Sequence, residues 1–203
     1  MIQAGVLENP KVDAVFGLHV TSIHNTGTIG YRSGPLMASA DQFRVFIRGS
    51  QTHGAMPWRG VDPIVVGSQV VMGLQTIVSR SMNLTKEPSV VTVGVFQGGV
   101  RNNIIPDEVK LEGTIRTFDA ATRDQIMHRL TDVVESTARA LGGSATIEIK
   151  AISPATVNDE RVAQVVRETA IEVLGAEHVT ADQLTMTAED MSEFLSRVSG
   201  CFF

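Results

Sequence analysis

Cysteine is almost absent from this 203-residue chain. Cys201 is the only one, so no disulfide can form within it, and a reducing, cytoplasmic setting is the expectation. A lone cysteine of this kind reads as a small buried hydrophobe rather than a reactive thiol. Blocks of like charge are missing too. The net charge is -5 and the basic residues are scattered singly, so no basic stripe exists to neutralise phosphates and nucleic acid is excluded as a partner. Long apolar runs are also missing. The most apolar long stretch without charge, between Asp62 and Arg80, is interrupted by Gly67, Ser68, Gln69, Gly73, Gln75 and Thr76. A membrane span needs about 20 predominantly apolar residues, so this stretch is a helix of a soluble domain and no membrane partner is expected. The chain opens with no basic segment leading into an apolar one, so no signal peptide is visible.

With 43% hydrophobic residues, the chain has enough apolar material for one or two cored domains. Gln42 to Arg48 alternates Phe43, Val45 and Ile47 with Arg44 and Arg48, the period of a half-buried strand. Asp62-Pro63 caps a helix running from Ile64 to Val78. Further strands are expected over Ser89 to Phe96, Glu108 to Phe118 and Ala145 to Ala151. A second helix is expected over about Ala121 to Leu141, with Ile126, Leu130, Val133, Val134 and Leu141 on one stripe and Gly142-Gly143 as its stop. Two strand–helix–strand units of this kind form a ferredoxin-like, four-stranded antiparallel sheet with both helices on one face. The fold class is therefore α/β in the broad sense (α+β), with this module at residues 36–152. Residues 1–35 and 153–203 belong to a second domain. It should hold a strand ending at His19, another at Thr28 to Tyr31, and a hinge at Gly34-Pro35. A helix capped by Asn158 or Asp159 and stopped at Gly175 follows, then a shorter helix from Thr187 to Val198.

Four side chains carry chemistry. His53, in Gly49-Ser50-Gln51-Thr52-His53-Gly54-Ala55-Met56-Pro57-Trp58, lies between a strand and a helix, the usual setting for a functional group. Alone, its plainer reading is a histidine bonded to its own turn. His19 ends a strand in Gly17-Leu18-His19-Val20, and imidazole suits zinc, manganese and related ions; the plainer reading is a structural histidine. Arg116 shares a strand face with Lys110, Glu112 and Thr114, which fits either a carboxylate clamp or a solvated sheet surface. Asn103 follows Gly98-Gly99 in a turn. His24 reads as solvated, His128 and His178 carry no role, and Glu189 and Asp190 read as caps of the last helix.

Taken together, the segments around His19 and His53, Asn102-Asn103-Ile104-Ile105-Pro106-Asp107, Gly113-Thr114-Ile115-Arg116-Thr117-Phe118, Thr187-Ala188-Glu189-Asp190-Met191-Ser192-Glu193-Phe194 and Ser199-Gly200-Cys201-Phe202-Phe203 resemble the M20 family of metallopeptidases and amidohydrolases. Within it they resemble the branch of hippurate, N-acyl-amino-acid and auxin-conjugate hydrolases. The resemblance implies that residues 36–152 are a lid and dimerisation domain, inserted in part of an α/β metallohydrolase catalytic domain. It implies His19 as a ligand of a centre holding two divalent ions, zinc or manganese. It implies His53 as the donor to the developing oxyanion, Asn103 and Arg116 as the grip on substrate amide and carboxylate, an N-acyl amino acid as substrate, and a homodimer through the lid. The family's upstream segment, with a cysteine, a histidine and adjacent glutamates, is absent here, as is its final ligand histidine. The chain is thus expected to be an interior piece of such a hydrolase, inactive alone. A non-catalytic dimerising or small-molecule-binding module on the same fold is the competing expectation.

Overall fold

The computed structural model describes all 203 residues, which divide into two compact units, Met1–Ser39 with Ser153–Phe203, and Ala40–Ile152. Three short strands open the first unit: β1 (Val15–Gly17), β2 (Ile29–Tyr31) and β3 (Gly34–Met37). The second unit follows as β4 (Ala40–Arg48), β5 (Thr52–His53), α1 (Pro63–Ser81), β6 (Val90–Gly98), β7 (Ile104–Ile105), β8 (Glu108–Arg116), α2 (Ala120–Ala140) and β9 (Ser144–Ser153). The chain then returns to the first unit through β10 (Thr156–Asn158), α3 (Glu160–Leu174), β11 (Val179–Ala181), α4 (Ser192–Leu195) and β12 (Gly200–Phe202).

In the second unit a four-stranded sheet runs β6-β8-β4-β9, antiparallel where β4 meets β8 and where β8 meets β6. This is the strand order of the ferredoxin-like fold. Alternation on β4 turns Phe43, Val45 and Ile47 inward, and β8 contributes Val109, Leu111 and Ile115. One stripe of each helix closes over them, Val66, Val70, Leu74 and Ile77 from α1 and Ile126, Leu130, Val134 and Ala138 from α2. Both helices start on an aspartate. Asp62 accepts hydrogen bonds from the backbone N–H groups of Ile64 and Val65, with Pro63 in the first turn, and Asp119 accepts from Thr122. Neither helix is long and apolar enough to cross a membrane.

A buried ion pair sits beneath this sheet. Asp41, fully buried, receives Arg123 Nε on Oδ2 at 2.9 Å and Nη2 on Oδ1 at 2.5 Å, a two-pronged contact that ties the start of β4 to the first turn of α2.

In the first unit β1 pairs parallel with β12, β2 parallel with β11, and β3 antiparallel with β10. Two expectations need correction here. Gly34-Pro35 is no hinge: it opens β3, with Pro35 opposite Val157 and Gly34 opposite Asn158. A proline fits because a short strand on a two-stranded ladder leaves one side of its backbone without a partner strand. The helix expected from Thr187 to Val198 shrinks to Ser192–Leu195, and Glu189 and Asp190 precede it rather than cap it. Local bonds compete with helix there, since Ser192 Oγ donates to the Glu189 carbonyl at 2.6 Å and the Asp190 N–H donates to Glu189 Oε1 at 3.1 Å. The cap of α3 is Asp159, which accepts from Arg161 and Val162. Asn158 is held elsewhere, as described below.

Two predictions follow from the ion pair and the caps. Arg123→Ala leaves a buried carboxylate unpaired and should lower the unfolding free energy by about 3 kcal/mol, the low end for breaking a buried pair because Arg123 keeps some solvent contact. Urea denaturation measures this, and replacing Asp41 and Arg123 together by leucine should cost distinctly less. The Asp119 carboxyl is held below the usual carboxylate range by the Thr122 N–H, and Asp159 by the Val162 N–H. A depressed folded value means that this stabilisation is complete above the unfolded carboxylate value, about 3.9, and is lost as pH falls through the folded value. An Asp119→Asn, Asp159→Asn double variant should therefore flatten the acid limb of stability without moving the neutral plateau.

Candidate functional site

His53 stands on a short ladder rather than on a free loop. β5 pairs antiparallel with β7, placing Thr52 opposite Ile105 and His53 opposite Ile104, and the Gly54 N–H donates to the Asn103 carbonyl at 2.8 Å. The ladder thereby sets His53 and Asn103, fifty residues apart in sequence, side by side. The base of the loop is closed by a reciprocal pair, Ser50 N–H to Val61 O at 2.9 Å and Val61 N–H to Ser50 O at 3.1 Å. Only glycine fits at that neck. A Cβ on Gly49 would lie 2.2 Å from the Val61 carbonyl, and one on Gly60 2.2 Å from the Ser50 carbonyl.

The ring of His53 has a defined polarity. The Ala55 N–H donates to Nδ1 at 3.0 Å, so Nδ1 keeps its lone pair and the neutral ring carries its proton on Nε2. Nε2–H points away from this local bond on an exposed side chain, a donor with no acceptor in the chain. His19 has the opposite polarity. Its Nδ1 lies 2.6 Å from the Val20 carbonyl, which can only accept, so Nδ1 carries the proton and Nε2 presents a lone pair. That is the tautomer of a metal-binding histidine whose other nitrogen donates to a carbonyl.

His19 is fixed by the parallel β1–β12 ladder, which continues through His19 N–H to Phe203 O and Phe203 N–H to Gly17 O, both 3.0 Å. Its ring meets the edge of Phe202, with centroids 6.4 Å apart. β12 is in turn pinned by Asn158, whose Nδ2 donates to the carbonyls of Arg32 at 2.8 Å and Phe202 at 2.9 Å while Oδ1 accepts the Phe202 N–H at 2.8 Å. This satisfied, buried amide is a positioning group that sequence reasoning took for a possible helix cap; its partners are 44 and 126 residues away, and no local signal announces them. Nor is His24 solvated as expected. Its Nε2 lies 2.9 Å from Asp182 Oδ1, half-buried, 158 positions along the chain. Burial pushes the neighbouring Cys201 thiol up to about 11, so it stays protonated and inert at neutral pH.

Arg116 is half-buried at the far end of β8. Its Nη1 donates to Thr114 Oγ1 at 2.5 Å and to the Ile115 carbonyl at 2.9 Å. Those bonds orient the guanidinium and use neither Nε nor Nη2, the edge suited to a carboxylate. On the same face, a hydrogen bond from Lys110 holds Glu112 below the usual carboxylate range. Arg116 does not converge with His53 and Asn103. They attach at the Glu108 end of β8, and eight residue steps along a strand span ~26 Å, far beyond the reach of a side chain. His19 belongs to the other unit, and no three His, Cys, Asp or Glu side chains gather anywhere in the chain. His19 is therefore a single candidate ligand, and these residues do not complete a metal centre.

The four-stranded antiparallel sheet with its two helices belongs to a known class, the peptidase dimerisation domains. Residues 38–141 match the peptidase dimerisation domain model of the M20 family, and the chain belongs to that family. It is 39% identical, over its whole length and 47% of the relative's, to an N-acetyl-L-cysteine deacetylase of Bacillus subtilis (strain 168). It is 36% identical over 46% of an IAA-amino acid hydrolase of Arabidopsis thaliana. Among solved structures it superposes with a TM-score of 0.90 on a putative aminohydrolase from methicillin-resistant Staphylococcus aureus, 32% identical, covering 99% of this chain and 52% of that one. It also superposes at 0.81 on a dinuclear metal-binding peptidase of the M20 family from Bacillus subtilis, 29% identical, covering 99% and 49%. The chain spans about half the length of the relatives it matches.

The tautomers give a direct prediction. In 15N NMR spectra at a pH where both rings are neutral, His53 should show a protonated Nε2 and a bare Nδ1, and His19 the reverse. Ala55→Pro, which removes the donor to His53 Nδ1, should abolish the His53 preference and leave that of His19 unchanged.

Proposed function

We propose that this chain is the substrate-gripping part of a metal-dependent amidohydrolase that removes the acyl group from N-acyl amino acids, N-benzoylglycine-like substrates included, and that its grip is completed by a homodimer. The observation that carries this reading is the length of β8, ~26 Å from Arg116 to Glu108, with His53 and Asn103 held at the β5–β7 ladder beyond the Glu108 end. One protomer cannot bring both ends to one substrate. Two protomers can, because β6 is an edge strand that runs alongside β8, with Val90 beside Arg116 and Gly98 beside Val109. Pairing β6 antiparallel with its copy across a two-fold axis sets the Val90 end of one against the Gly98 end of the other. Arg116 then shares an end of a continuous eight-stranded sheet with the partner subunit's His53 and the partner subunit's Asn103. Three interstrand spacings, ~14 Å, separate the two β8 strands, a gap that an arginine, an amino-acid substrate and an imidazole fill together.

The surface supports that pairing. β6 carries no charged residue, Val95 and Phe96 are exposed on it, and the adjoining α1 exposes Val65 and Met72. The opposite edge strand, β9, carries Glu148 and Lys150, which discourage pairing there. A bulge between Val93 and Val95 kinks the β6 edge without closing it.

In the proposed reaction Arg116 holds the substrate carboxylate on its Nε–Nη2 edge and Asn103 aligns the amide. His53 Nε2–H donates to the carbonyl oxygen as it gains charge, an interaction strongest in the transition state. The family's two divalent ions, zinc or manganese, supply the activated water when bound, with His19 as one ligand. The names of the relatives, a deacetylase, an IAA-amino acid hydrolase and an N-acyl-L-amino acid amidohydrolase, support the reaction class. The single buried cysteine fits a cytoplasmic setting.

The 203-residue chain by itself should hydrolyse no N-acyl amino acid above background. In the enzyme completed with the remainder of a family catalytic domain, His53→Ala should lower kcat roughly 10²–10³-fold, while Arg116→Ala should raise KM for free acids and not for their methyl esters. The decisive experiment mixes the two variants. Hybrid dimers of His53→Ala with Arg116→Ala hold one site free of both changes and should recover up to half the wild-type activity per dimer. Mixtures no more active than their parents would sink the split site, and hydrolysis of no N-acyl amino acid would sink the reaction.

A further inference from the structure

The loop that presents His53 also presents the chain's only tryptophan, and these 203 residues leave it largely uncovered. Trp58 is 76% exposed and Met56, two residues before it, is 38% exposed. A tryptophan buries more apolar surface than other side chains when it finds a partner, and here Trp58 and Met56 are two exposed apolar side chains on one well-ordered segment. The segment is well ordered. The Ser50–Val61 pair closes its neck, β5–β7 ties its outgoing arm to Asn103, the Met56 N–H donates to the His53 carbonyl at 2.8 Å, and Thr52 Oγ1 donates to the Met56 carbonyl at 3.3 Å. Pro57 then opens a single 3-10 turn, closed by the Gly60 N–H on the Pro57 carbonyl at 3.2 Å. Trp58 is therefore carried at a fixed place relative to the His53 donor, with a polarisable thioether beside it.

We infer that Trp58, with Met56, is the acyl-group determinant of this site: the indole face packs against an aromatic or similarly bulky acyl group while His53 addresses the carbonyl of the same group. The inference rests on the proposed amidohydrolase reading and deepens it, since the acyl carbon that His53 serves carries the very substituent that needs an apolar wall. An acetyl group is too small to cover the indole. Benzoyl, phenylacetyl and indolylacetyl groups present a flat apolar face, and methionine adapts to differences among them. The site should thus separate large from small acyl groups by at least about tenfold, the usual scale for apolar pocket discrimination.

As Trp58 is the single tryptophan, its emission reports the event directly. N-benzoylglycine titrated into the chain should shift Trp58 emission to the blue, saturably, at concentrations at least about tenfold lower than N-acetylglycine requires. By calorimetry, Trp58→Phe should retain the preference for the benzoyl compound and Trp58→Ala should lose it. An emission unmoved by either compound, or moved equally by both, overturns the proposal, as does an unchanged preference in Trp58→Ala. A blue shift that follows protein concentration instead of ligand would assign Trp58 to an interface between copies and equally overturn it. These outcomes are separable from failure of the amidohydrolase reading, which is decided by turnover and by the hybrid dimers, neither of which depends on Trp58.

Discussion

The fixed length of an extended strand governs what this protein can do. β8 is paired on both sides, to β4 over eight residues and to β6 from Val109 to Arg116, and its inward side chains pack with those of α1 and α2. A strand held in this way neither shortens nor bends enough to bring its ends together. The arginine is thus held ~26 Å, the length of β8, from the Glu108 end, beyond which the β5–β7 ladder carries the histidine and asparagine. In isolation that separation looks like a poor arrangement for a binding site. In the proposed β6–β6 dimer the same length would set the guanidinium of one protomer against the imidazole of the other.

Backbone groups, rather than charged neighbours, set the chemistry of the two candidate histidines. An N–H meets Nδ1 of His53 and a carbonyl faces Nδ1 of His19, so one ring is prepared to donate through Nε2 and the other to accept a cation there. Each of these local contacts spans at most two residues and depends on the conformation of its own short segment. The segments are held from a distance: the His53 loop by the glycine-lined neck at Ser50 and Val61, and the His19 strand end by β12 and, behind it, the buried Asn158 amide. A polar group buried with all its partners in place is costly to disturb, and Asn158 is such a group on the route to His19.

Much of the second unit could be read in the sequence because its signals are local and periodic. Phe43, Val45 and Ile47 alternate, Ile126, Leu130 and Val134 recur at helical spacing, and Asp62-Pro63 stands at a helix start; each formed the expected element with ends shifted by only a few residues. The first unit was less legible for a physical reason. Its strands are three or four residues long and take their partners from the opposite end of the chain, as when Val15 meets Gly200 or Ile29 meets Val179. Periodicity has no room to develop in three residues, so Gly34-Pro35 passed for a hinge and the last helix was drawn too long. The same limit hid the His24–Asp182 contact and the role of Asn158. The chemistry-bearing residues could be picked out by type and motif, but their relative placement could not: nothing in the spacing of Asn103 and Arg116 reveals that the twelve residues between them include most of the paired strand β8.

The two edges of the sheet explain why one mode of association is favoured over others. An open sheet offers backbone donors and acceptors along both outer strands, and either could recruit a copy. β9 opposes this with Glu148 and Lys150, whereas β6 presents Val90, Val91, Val93, Val95 and Phe96 without a charge and lies next to a helix that is itself uncharged until Arg80. A head-to-tail contact between β6 and β9 would leave one apolar edge uncovered at the end of every assembly and would propagate without closing. The self-complementary contact covers both apolar edges at once and closes at two subunits. Charge on one edge and its absence on the other are thus what the proposed symmetric pairing rests on, and only that pairing would bring opposite ends of the two β8 strands together.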